Sequence, residues 1–359
     1  MNTSLDSQRL PQRLFLLDIF RYVLVFAIVA FHLYEFTFDS DAFPIEFSKF
    51  LIFDKVSFIC RFLTFGGQSL IALSVFLLGF KQIDNSKLIK LFLIFALGYI
   101  AVVFSFYDVE NRKLIDWDLY PFLIISFLSI LILQKYAFLV KYFCIIGVSL
   151  FLLPYRELAM ALTESWAKEA IFGICHNDHF TSWPLVPWIG MIWVFYGLGE
   201  LAMKHYDVLK KITKMEVLVY SVILFVAIPQ LRYFGSVPVS SRLYCFVQLA
   251  PPLVTASFLA LTLIVIRFSL VHNINQFIGD RKYFNFFTRS FWSQNLGIAY
   301  IVHLVYIGWV SDFKEVYLAK PIFLEFAFFG CFVFVELVYL LFKVVFNRSV
   351  FKKLRPGTR

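Results

Sequence analysis

Long apolar runs separated by short polar segments set the pattern of this chain. The runs lie at about 14–34, 58–80, 88–106, 120–134, 139–154, 184–203, 215–235, 245–266, 291–311 and 321–345. Each is about as long as a helix needs to cross the hydrocarbon of a bilayer, or slightly shorter. The pattern predicts an all-α polytopic membrane bundle of about ten transmembrane helices, because only helices and closed barrels satisfy their backbone groups in lipid. The first run lacks a small-residue cleavage site and is expected to be a span, not a removable leader. The stretch 155–183 is the longest polar interruption. Its Glu164–Glu169 segment predicts an amphipathic or re-entrant helix, followed by a loop around His176–His179. No repeat and no linker divides the chain. The expectation is one domain over 1–345 and a basic tail over 346–359.

Composition strengthens this picture. The 359 residues are 60% hydrophobic and only 16% charged, and 47 of them are Phe. The mean hydropathy is +0.78. A soluble domain is nearer half apolar and a quarter charged. An ordinary cytosolic enzyme, a disordered chain and a disulfide scaffold are excluded. The five cysteines form no CxxC pair and no zinc spacing, so no metal site is expected.

The net charge of +9 would suggest nucleic acid in a soluble protein. Its distribution argues otherwise. Basic residues such as Arg13, Lys81, Lys87, Lys135, Lys204, Lys211 and Arg281 fall on alternate connections. Acids such as Asp39, Asp116, Glu157 and Asp312 fall on the others. Positive residues are retained on the cytoplasmic side. An even number of spans with both termini cytoplasmic satisfies the chain, and no nucleic-acid partner is expected.

Ionisable groups inside spans are costly, so each needs a reason. The first span holds most of them. Asp18 and Arg21 are three apart and share a helical face. His32 follows Arg21 by eleven positions, on the same face and about 16 Å further along the axis. Glu35 lies one turn beyond and is placed to orient the imidazole. The competing reading is that Arg21 and His32 reach to opposite interfaces. The second span carries Gly66, Gly67, Gln68, Ser69, Ser74 and Gly79, small or polar residues that permit close helix approach. Arg61 precedes them. Lys87 and Lys90 mark the inner mouth of the third span, where they suit a polyphosphate or anionic lipid. Trp183-Pro184-Leu-Val-Pro187-Trp188 opens the sixth span. Tyr300-Ile-Val-His303 puts a second intramembrane histidine in the ninth, as a packing residue or a partner of the base.

Taken in order, Arg21 to His32, the Phe65–Phe80 stretch, Lys87-x-x-Lys90 and Ser290 to Tyr300-x-x-His303 resemble the acyltransferase 3 family of membrane acyltransferases. That family has Arg-x-x-Arg at the third inner mouth, where this chain has lysines that lose the bidentate fork. The Trp183–Gly190 run resembles the related heparan-alpha-glucosaminide N-acetyltransferase group. The resemblance implies an O-acyltransferase of a bacterial inner membrane. Acyl-CoA, most often acetyl-CoA, would be a cytoplasmic co-substrate and not a tightly bound cofactor. A cell-surface glycan or lipid-linked sugar would be the acceptor, and a homo-oligomer is compatible. In this reading Arg21, Lys87, Lys90, Asp18 and Ser74 serve the donor. His32 acts as base with Glu35 behind it, its ordinary pKa of about 6.5 suiting neutral pH. Arg61, Gln68, Trp188 and His303 are assigned to the acceptor side or to support. An amino-sugar N-acetyltransferase and a transporter or flippase are the alternatives. A transporter would be expected to carry an inverted repeat, which the chain lacks.

Overall fold

The computed structural model describes residues 13–37, 66–105, 119–152, 161, 166–172, 175–176, 179–180, 183–236, 252–281, 296–311, 313 and 322–349. They form α1 (Phe15–Thr37), α2 (Gly66–Lys81), α3 (Asn85–Ser105), α4 (Leu119–Lys135), α5 (Val140–Leu152) and α6 (Trp166–Phe172). Then follow α7 (Leu185–Lys204), the one-turn α8 (Tyr206–Leu209), α9 (Lys214–Ser236), α10 (Pro252–Ser269), α11 (His272–Gly279), α12 (Leu296–Ser311) and α13 (Ile322–Ser349). Among the described residues the regular structure is helical apart from two short antiparallel strands, Cys175–His176 paired with His179–Phe180. This strand pair stands where the sequence predicts a plain loop. Helix α13 also runs to Ser349, into the segment expected to be tail.

By length and composition, α7 is apolar enough to cross a membrane. Two bent pairs pass the same test jointly. Residues Leu119–Lys135 and Ala137–Phe151 meet at 109°, and Leu259–Ser269 and His272–Gly279 meet at 76°. Apolar side chains also face outward: Phe225 is 81% exposed on α9, and Phe326 is 65% exposed on α13. A helix bundle facing water puts polar residues on those positions.

Helix α1 is the hub of one half. It packs against α2, α10, α11, α12 and α13. Leu17, Leu24, Val29 and Leu33 are buried along it. Phe26 stacks on Phe332 of α13 at 4.7 Å and meets Phe328 edge-on at 4.6 Å. Helix α7 is the hub of the other half, against α2 and α5. Glycines set both of those contacts. A Cβ at Gly199 would strike the Phe76 carbonyl, and one at Gly79 would strike that of Tyr196. A Cβ at Gly190 would lie 2.5 Å from the Gly147 carbonyl oxygen. Small residues bring helix backbones together where side chains would hold them apart.

The α2–α3 connection is a short cap. Gln82 has a φ of 46°. Its N–H donates to the Gly79 carbonyl, and that of Ile83 to the Leu78 carbonyl. This is the paired 5→2 and 6→1 bonding of a left-handed helix end. Asp84 then caps α3: its carbonyl accepts from Lys87 N at 2.9 Å, and its carboxylate from Ser86 Oγ at 2.5 Å. Helix α2 therefore stops at Lys81, beside the start of α1.

Candidate functional site

Two polar centres lie on α1. The first, near the start of α1, is built around Asp18. Arg21 Nη1 is 3.6 Å from one carboxylate oxygen, and Arg13 Nε is 3.7 Å from the other. Lys81, at the end of α2, lies close enough to interact electrostatically with Asp18, Arg21 and Arg13. Three cations thus surround one carboxylate and leave a local surplus of positive charge. The Arg21 side chain is 13% exposed, and its Nε is buried without a hydrogen-bond partner among the described residues. A buried guanidinium N–H in that position is a donor suited to an anionic oxygen.

Helix α11 holds this end of α1 in place. Asn275 is buried against it and bonds to the backbone at Arg13 and Phe15. The Phe15 ring covers Gly279.

The second centre lies eleven residues along α1. His32 Nδ1 is 3.0 Å from His303 Nε2 on α12. The ring planes are within 12° of each other. Tyr300 meets His32 at 5.8 Å and His303 at 4.8 Å, edge-on to both. Behind it Tyr120 of α4 lies 6.1 Å from Tyr300, and Tyr99 of α3 lies 6.3 Å from Tyr120. His303 is 1% exposed. Its Nε2 is the nitrogen that faces His32.

The other expected site residues are placed as follows. Gln68 is buried at the start of α2, and its Oε1 has no hydrogen-bond partner among the described residues. Ser74 Oγ donates to the Leu70 carbonyl of its own helix at 2.6 Å. Lys87 and Lys90 are exposed on the first turns of α3. Trp188 is 1% exposed, with its ring 6.3 Å from those of both Trp183 and Phe151. Arg61 and the side chain of Glu35 lie outside the described residues.

The structure thus brings together Asp18 with Arg21, and His32 with His303. It adds Lys81 and Arg13 to the centre at Asp18, and Tyr300 to the one at His32. Lys81 reads in the sequence only as an inside-facing charge. A signal for it exists: a lysine ending the second span falls opposite the start of the first when the two run antiparallel.

Ser69 Oγ and Thr262 Oγ1, 2.5 Å apart, tie α2 to α10 beside α1. Among the described residues no group of three or more His, Cys, Asp or Glu side chains is arranged to hold a metal ion. No family model, no curated protein and no solved structure matches the chain.

Proposed function

We propose that the protein is a multi-pass membrane O-acyltransferase, with both termini on the cytoplasmic side of a bacterial inner membrane. It moves an acyl group from acyl-CoA to a hydroxyl of a surface or lipid-linked glycan. The observation that carries this reading is the 3.0 Å contact between His32 and His303, at the far end of a helix whose near end holds Arg13, Asp18 and Arg21. The resemblance to the acyltransferase 3 family supplies the classes of donor and acceptor.

The two centres suit the two ends of such a donor. Phosphates would sit against Arg21, Lys81 and Arg13 at the cytoplasmic face. A pantetheine arm is long enough to follow α1 for the roughly 16 Å between Arg21 and His32. The thioester would then lie at the histidine pair. His32 takes the proton of the acceptor hydroxyl as its oxygen attacks the thioester carbonyl. Collapse of the tetrahedral intermediate breaks the C–S bond, and the departing thiolate takes the proton back from His32. The products are the ester and the free thiol.

The test compares cells carrying wild type with cells carrying His32→Ala at matched membrane levels. Surface polysaccharide is isolated and its base-labile acyl groups are measured by mass and proton NMR. Ester with wild type alone supports the reading. Equal ester from both moves the base elsewhere. A base-stable amide in place of an ester favours the amino-sugar N-acetyltransferase. If neither strain makes product, purified wild type is tested for acyl-CoA binding, and failure to bind overturns the donor assignment.

A further inference from the structure

We propose that the rim formed by α11 and the α8–α9 connection binds anionic phospholipid headgroups, with Phe277 set among the acyl chains and Lys211, Lys214 and Arg281 against the negative charge. This rests on the membrane reading above and on none of its acyl-transfer chemistry.

Helix α11 follows α10, which lies in the eighth expected span, but turns away from it by 76°. A helix at that angle to a span runs nearly along the plane of the bilayer. Its side chains fit such a position, one face packed and the other open. Asn275 and Ile278 are buried, and Asn275 holds the backbone of Arg13 and Phe15. Phe277 is 58% exposed. Asn273, one turn before it, and Gln276 are also exposed. The Arg281 guanidinium lies 4.9 Å from the centre of the Phe277 ring. The α8–α9 connection is fastened to the same corner. Arg267, near the end of α10, donates to the carbonyls of Leu209 and Lys211, each at 2.6 Å. The His272 N–H donates to the Lys210 carbonyl at 3.0 Å. These bonds carry Val208, Lys211, Lys214 and Met215 to the rim that α11 begins.

The mixture of side chains selects the occupant. Val208 is 74% exposed and Met215 68%. With Phe277 they are apolar groups that water disfavours. Lys211, Lys214 and Arg281 are exposed among them, and hydrocarbon alone disfavours those. The boundary between headgroups and acyl chains admits both. Lysine and arginine lay their stems along the chains there and keep their charges among the headgroups. Positive charge is in excess. Asp207 is paired with Lys210, and Glu216 with Arg267. Asp280 is the one further acid in 206–216 and 267–281, against Lys211, Lys214 and Arg281. Cations clustered where an amphipathic helix meets a membrane draw anionic lipid in preference to zwitterionic lipid.

The test puts the photo-crosslinking residue benzoylphenylalanine in place of Phe277 in the full-length protein. The protein is held in nanodiscs of equimolar phosphatidylcholine and phosphatidylglycerol, and the adducts are identified by mass. Phe225, 81% exposed on α9, receives the same label as a control. The label at 277 should capture phosphatidylglycerol over phosphatidylcholine by about fivefold, and the label at 225 should capture both about equally. Lys211→Gln, Lys214→Gln and Arg281→Gln together should bring the ratio at 277 to about one while the total lipid adduct there is kept. Equal capture at 277 without those substitutions overturns the anionic preference, as does the same enrichment at 225. A ratio that survives the three substitutions takes the cations out of the site and overturns it too. Adducts at 225 with none at 277, or a crosslink at 277 between two copies of the chain, overturn the headgroup position and leave the membrane reading standing. Lipid adducts at neither position overturn the membrane reading and the rim with it.

Discussion

Asn275 closes the start of α1 across 260 residues of sequence: its Oδ1 accepts from the Phe15 N–H at 2.6 Å. Its Nδ2 donates to the Arg13 carbonyl at 2.7 Å. The first N–H groups of a helix lack partners in their own helix, and here a side chain from α11 supplies one. Arg13, Asp18 and Arg21 all lie within two turns of this clamp. Asn275→Ala should leave part-buried backbone groups without this partner, at a cost of up to about 1–3 kcal/mol each. Asn275→Asp should keep the acceptor and lose the donor, giving an intermediate value. Thermal unfolding in detergent checks the order. Equal midpoints for the three proteins would show that the clamp adds nothing to stability.

The crossing of α2 and α7 makes a second prediction. Gly79 and Gly199 face each other's helix backbones, so neither helix can yield by turning a side chain. Gly199→Ala should destabilise by about 1–3 kcal/mol, and Gly199→Leu by more. Leu201→Ala, at a position 52% exposed, is the control and should be nearly silent. Size-exclusion profiles and unfolding midpoints of the purified proteins distinguish these outcomes.

Features that lie within one helix were legible in the sequence. Three-residue spacing places Asp18 and Arg21 on one face, and their charged atoms lie 3.6 Å apart. Eleven-residue spacing separates His32 from Arg21 along one helix without breaking the face. The small residues of the second span announce a close approach, but not that Gly199 is what they approach. The contact of His32 with His303 spans 271 residues, and nothing in a single sequence says which of several buried polar groups will meet. The cost of an imidazole in lipid marks both as needing partners, and no more. Asn275 was invisible for a different reason. Its partners are backbone groups, which carry no sequence signature, and it sits in a short polar stretch that reads as a connection. Lys87 and Lys90 stood out because they repeat a spacing. Lys81 did not, because its place beside Asp18 depends on where α2 ends, and that is set by Gln82 in the left-handed region.

Asp84 gives a pH prediction at the same connection. The Ser86 hydroxyl, then the Ser86 N–H, hold its carboxylate below the ordinary aspartate value of 3.8, with Lys87 adding a smaller attraction. The folded value is depressed, so the capping contribution is complete above the unfolded value. It is lost as the pH falls through the folded one. The first turn of α3 should therefore stay ordered down to about pH 4 and fray below it. Asp84→Asn should weaken the cap and remove this pH dependence. Amide exchange at Ser86–Leu88, followed between pH 3 and 6 and corrected for intrinsic rates, reads the transition. A flat profile in wild type would remove the carboxylate from the cap.

On the acyl-transfer proposal, Lys81 and Lys87 make opposite predictions for the donor. Both are exposed lysines near the α2–α3 connection, but Lys81 lies within electrostatic reach of Asp18, Arg21 and Arg13 together. A phosphate placed against the buried Arg21 Nε would lie within that group. Lys87, exposed on the first turn of α3, would meet it only through solvent. Lys81→Ala should raise the KM for acyl-CoA by about 10-fold with kcat little changed, the size of one lost charge-assisted hydrogen bond. Lys87→Ala and Lys90→Ala should stay within about twofold, and any effect should vanish with added salt, as expected of exposed charges. Lys81→Arg should retain binding, since it keeps the charge. Initial rates over a range of acyl-CoA concentrations at two ionic strengths separate the cases. If Lys87→Ala and Lys90→Ala weaken the donor more than Lys81→Ala does, the phosphates bind at the mouth of α3, and the cluster around Asp18 serves only to anchor α1.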